Sequence, residues 1–79
     1  MQYETFDEIL NAEITQATEH KESYYFMIKY DDPYANTVWV VDKKTEKVSS
    51  ISLIDYFLLE HENGADFSPI DWKTLKRAG

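Results

Sequence analysis

Thr5-Phe6-Asp7-Glu8-Ile9-Leu10-Asn11-Ala12-Glu13-Ile14-Thr15-Gln16-Ala17-Thr18-Glu19 is the stretch on which the fold turns. Thr5 is followed three residues later by Glu8, the hydroxyl-and-acid arrangement of a capping box. Apolar residues recur at Phe6, Ile9, Leu10, Ile14 and Ala17, the spacing of one helical face. Asp7 and Glu8 would then sit in the first turn, where the helix dipole favours negative charge. The reading is a helix from about Phe6 to Glu19.

Downstream the period changes. Ser23 to Tyr30, SYYFMIKY, is aromatic, strand-favouring and free of Gly and Pro. It places Tyr24, Phe26, Ile28 and Tyr30 on one side and Tyr25, Met27 and Lys29 on the other. Asp31 to Asn36 carries the Asp-Pro and Asn chemistry of a loop. Thr37 to Asp42, TVWVVD, is a second strand that separates Val38 and Val40 from Trp39 and Val41. Asp42 to Lys47 reads as a tight hairpin turn, and a third strand runs from about Lys47 to Ile51.

Val40-Val41-Asp42-Lys43-Lys44-Thr45-Glu46-Lys47-Val48 resembles the strand–turn–strand phrase V-D-x-x-T-G-x-V of many small sheet domains. Glu46 stands where that phrase has Gly. The Gly supplies a positive φ at a bulge, so the resemblance implies strain at Glu46 and nothing about function.

Ser52-Leu53-Ile54-Asp55 is a second cap signal. The helix behind it carries Ile54, Phe57, Leu58 and His61 on one face, and Asn63-Gly64 closes it. Ser68-Pro69 opens a last short helix, Ser as cap and Pro at the first helical position. That helix contributes Ile70, Trp72 and Leu75. The expected fold is α+β over residues 1–79 as a single domain. An N-terminal helix leads into a three-stranded antiparallel β-meander. Two C-terminal helices follow, the last one short, with the helices packed on the sheet.

Composition narrows the function. There is no Cys, so disulfides and thiolate metal sites are excluded. Gly occurs only at 64 and 79, which rules out the glycine-rich loops that cradle nucleotides. Ser49, Ser50 and Ser52 lack a nucleophile elbow. His20 and His61 are far apart and bring no further marked ligands, so no metal site and no cofactor is expected. Asp31, Asp32 and Asn36 miss the spacing of a calcium loop. Glu13 falls within the apolar stripe of the first helix. A carboxylate there is paired by a Tyr or Lys, escapes to the rim of the stripe, or is shifted towards acid–base work.

Fifteen acids face eight bases, a net charge of −7. Such a field repels phosphate backbones and anionic membranes and favours basic protein surfaces. No basic leader with an apolar run opens the chain and no long apolar stretch occurs, so a cytoplasmic protein is expected. Both sheet faces are apolar, more than a half-exposed sheet needs. The second face must be covered by the C-terminal segment, a second copy or a partner.

These features point to a small acidic protein-interaction module without catalytic activity. It would be a monomer or weak homodimer with a protein partner, a basic surface being the favoured kind. Glu4, Asp7, Glu8 and Glu19 on or just before the first helix and Tyr25, Met27 and Trp39 on the sheet are the candidate contact residues. The alternative is a small ligand-binding domain or enzyme subunit built on Glu13 and neighbouring Tyr residues.

Overall fold

The computed structural model describes residues 3–29 and 36–75. The Asp31–Asn36 loop lies almost wholly outside them, as do Tyr30, Lys76 and Arg77. The first helix, α1, spans only Phe6–Leu10. Its cap is the expected one: Thr5 Oγ1 accepts from the Glu8 N–H at 3.2 Å and donates to Glu8 Oε1 at 3.1 Å. Asn11 ends it. Its N–H bonds the Asp7 carbonyl at 3.1 Å, and its side-chain amide reaches the same oxygen at 2.9 Å.

The rest of the expected helix is a strand, β1, Ile14–His20. It pairs antiparallel with β2, Ser23–Ile28. The reason for the difference is a register shift between Ile14 and Gln16. An extra residue in a strand moves consecutive inward positions from two apart to three apart. Ile14 and Ala17 therefore share a face as strand residues while showing a helical spacing. Ile14, Thr15 and Thr18 are β-branched, which favours the extended state.

β3, Thr37–Asp42, and β4, Val48–Ser52, continue the antiparallel pairing. The second helix, α2, is Leu53–Asn63, followed by a 3-10 turn at Gly64–Asp66. The expected last helix is not one. Ser68–Pro69 forms β5, which pairs with Thr18 and Glu19 of β1, and the Ile70 N–H bonds the Ala17 carbonyl at 3.1 Å. Proline fits there because an edge strand can spare a donor. Only Trp72–Leu75 coils, as a 3-10 turn; at its start Asp71 Oδ1, not Ser68, accepts a backbone N–H, that of Lys73. The sheet therefore has five strands in the order β4-β3-β2-β1-β5, not three, and only α2 among the described residues is a helix of more than two turns.

Both faces of this sheet are covered from within the chain. On one, Phe26, Trp39, Val41 and Ala17 pack under Phe6, Ile9 and Leu10 of α1, joined by Ile70, Trp72 and Leu75. On the other, Tyr25 and Val38 lie under Tyr56 of α2, with Leu53, Leu59 and Phe67 around them. The pairing enforces this division. Phe26 stands between Ala17 and Trp39, and Tyr25 between Thr18 and Val40. Every buried side-chain polar atom among the described residues has a partner.

Candidate functional site

With both sheet faces occupied, the large exposed apolar side chains among the described residues lie on α2. Ser52 starts this helix, its hydroxyl accepting from the Asp55 N–H at 3.0 Å. The Leu53 N–H is held by the Asn36 carbonyl at 2.7 Å, which fixes where the helix leaves β4. At the far end the Asn63 amide bonds the Leu59 carbonyl at 2.9 Å. Gly64 then takes φ +24, a conformation that side-chain-bearing residues avoid.

The rotation of α2 is set by its inner face. Tyr56 is 1% exposed and its ring meets those of Tyr25 and Phe67 at 5.6 and 5.7 Å. Its hydroxyl lies 2.9 Å from Thr18 Oγ1 and donates to Glu60 Oε2 at 3.0 Å. A phenol has one proton, and the carboxylate can only accept, so Thr18 donates to Tyr56 in turn. Burial raises the Tyr56 pKa, as the desolvated phenolate is disfavoured; the Thr18 bond opposes this and the Glu60 charge adds to it.

With Tyr56 inward, the face that periodicity marks as apolar points out. Ile54, Phe57 and Leu58 are 72, 51 and 57% exposed. His61, one turn beyond, is exposed as well. Asp55 and Glu62 border this stripe on one side and Glu60 on the other. From Val48 through Trp72 the chain has no Lys or Arg, but has Asp55, Glu60, Glu62, Asp66 and Asp71. Exposed apolar groups adjoining one another on one helix are a common mark of a contact surface.

The residues singled out from sequence do not assemble into one site. Glu4 and Asp7 are exposed and Glu8 half-buried, on or beside α1. Glu4 and Asp7 line an open recess of about 310 Å³ that reaches Glu46 and Lys47 of the β3–β4 turn. Glu19 belongs to β1, not to a helix, and pairs with Lys43 at 3.4 Å; the Lys43 ammonium also lies 5.3 Å from the Tyr24 ring centre. Tyr25 and Trp39 are core residues on opposite faces of the sheet, and Met27 is half-buried beside the Tyr25 cluster. Glu13 precedes β1 with its side chain 75% exposed and faces Lys29 Nζ at 3.5 Å. His20 is buried, stacked on Phe67 at 4.5 Å, with Nδ1 directed at the Asp66 carbonyl.

Sequence reasoning found the α2 stripe as one face of the helix without giving it a direction. The available signal was Tyr56 three residues before Leu59 and four before Glu60, a second face able to carry a buried hydroxyl with its own acceptor. No known protein family, curated protein or solved structure matches the chain. Among the described residues no group of three or more His, Asp and Glu side chains is placed to hold a metal ion, and no helix is long and apolar enough to cross a membrane.

Proposed function

We propose that this protein is a small acidic, non-catalytic interaction module that contacts another protein through the outer face of α2. The observation that carries the reading is the exposure of Ile54, Phe57 and Leu58 side by side, while Tyr56 holds the opposite face down. Burying three such side chains in a partner supplies roughly 1.5–3 kcal/mol each, before the cost of association. Among the described residues, no exposed large apolar group lies with the acids of α1, also a proposed contact. A ligand site built on Glu13 has less support, because that carboxylate is exposed and does not line the recess beside Glu4 and Asp7.

The test is a capture from lysate of the native host. Wild-type protein is compared with Ile54→Ser/Leu58→Ser and with a chain whose Glu4, Asp7 and Glu8 are neutralised. Proteins retained by the wild type and lost only with the α2 variant are the expected result. Equal retention by the α2 variant overturns the assignment of the surface, and loss with the α1 variant alone moves the contact to α1.

A further inference from the structure

Resting on that reading of α2 as the contact surface, we propose that its occupant is a basic amphipathic helix of another protein. Its apolar face would be flanked by Lys or Arg, and a second copy of this chain is the wrong partner. Ile54, Phe57, Leu58 and His61 occupy positions i, i+3, i+4 and i+7 of a regular helix. They form a ridge about 10 Å long, two turns, of the kind that packs into the groove of a second helix. The borders of the ridge choose between occupants. Asp55 and Glu62 lie along one border and Glu60 along the other, and α2 has no Lys or Arg. A facing helix with cations beside its apolar seam meets opposite charge on both borders, as flanking charges do in paired helices.

Self-pairing fails on the same geometry. Two copies of α2 packed across a twofold axis would set Asp55 and Glu62 against the acids of the other copy, with no Lys or Arg on either helix. Each chain also brings a net charge of −7 to the contact. Like charges held against one another at an interface are repulsive and are a standard device against the wrong partner.

The probe is a labelled peptide of Leu and Lys about 14 residues long, patterned as a helix with a leucine face. A scrambled peptide of the same composition and a Leu–Glu peptide of the same pattern accompany it. Fluorescence anisotropy against the whole protein should show the Leu–Lys helix binding about tenfold or more tighter than either control. That affinity should fall as salt rises from about 50 to about 500 mM, because exposed charge pairs are screened. Phe57→Ser/Leu58→Ser should weaken it about tenfold with the circular dichroism unchanged. Ile54→Ser, at the most exposed of the three positions, serves as a second variant should the double one lose structure. Equal binding of the Leu–Glu peptide overturns the inference, and so does a dimer in light scattering that the stripe variants dissolve. No binding of the Leu–Lys helix, with lysate proteins still lost through the α2 substitutions, removes this occupant and leaves the surface assignment standing. Stripe variants that bind the peptide as the wild type does, and retain the same lysate proteins, remove both.

Discussion

The Tyr56 hydroxyl lies 2.9 Å from Thr18 Oγ1, joining the middle of α2 to a strand 38 residues earlier in the chain. This contact sets which face of the helix meets the sheet, and hence which face meets solvent. Tyr56→Phe removes the acceptor of a buried Thr hydroxyl and should cost about 1–3 kcal/mol. Adding Thr18→Val to that variant should recover part of the loss, because neither polar group is then stranded. Urea denaturation of the two single variants and the double variant measures the coupling. Additive losses would mean that the two hydroxyls do not interact.

Stability should fall at both ends of the pH scale, for different reasons. Burial pushes the Tyr25 and Tyr56 phenols above their ordinary value of 10.0, offset in part by bonds to Ser23 and Thr18 respectively. A raised phenol pKa means that the unfolded chain ionises first. The contribution is complete below the ordinary Tyr value and lost as pH rises through the higher folded values. Asp42 moves the other way: the Thr45 N–H, then that of Lys44, hold its carboxyl below the ordinary 3.8. Its contribution is present above the unfolded value and lost as pH falls through the folded one. Urea midpoints followed across pH should show both limbs. Tyr56→Phe should flatten the alkaline limb and Asp42→Asn the acid limb.

Among the described residues, two turns hold a side-chain-bearing residue at positive φ. Lys21 has φ 53 in the two-residue β1–β2 turn, and Glu46 has φ 61 in the β3–β4 turn. The second turn is closed by the Glu46 N–H on the Asp42 carbonyl at 2.8 Å. Glycine adopts that region without a Cβ clash. Lys21→Gly and Glu46→Gly should each raise stability by several tenths to about 1 kcal/mol, and the gains should add. A lower thermal midpoint in either variant would contradict this account of its turn.

Substitutions on the two sides of the molecule should differ sharply. Phe57→Ser and Leu58→Ser, at exposed positions of α2, should change stability by about 0.5 kcal/mol or less. Phe26→Ala, at a residue with no exposed surface, should cost about 3–5 kcal/mol. Binding of an apolar dye should follow the opposite order, falling for the α2 variants while they stay folded. An α2 variant as damaging as Phe26→Ala would place the stripe inside.

Single elements of this architecture were readable in the sequence, but the five-stranded sheet and its order were not. Thr37–Asp42 has the extent expected of it, the caps at Thr5 and Ser52 form, and Glu46 carries the positive φ that the turn phrase implies. What was hidden has physical causes. The irregularity beside Thr15 gives β1 a helical spacing, and the helix stop at Asn11 has no Gly or Pro beside it to mark it. Ser68-Pro69 has helix-start chemistry, but β1, once it is a strand, offers an edge whose backbone groups need partners. For the candidate site, the face of α2 was legible and its direction was not, because direction depends on a hydroxyl pair that joins α2 to β1, 38 residues earlier in the chain.

Residues 67–75 turn round the β1 edge so that Phe67 lies on one side of the sheet and Ile70, Trp72 and Leu75 on the other. One short run of chain thereby clasps both halves of the core. The clasp comes after everything it closes, so folding in chain order leaves that edge of β1 open until these residues arrive. Assembly is then finished by a latch, and losing the latch would loosen both halves together.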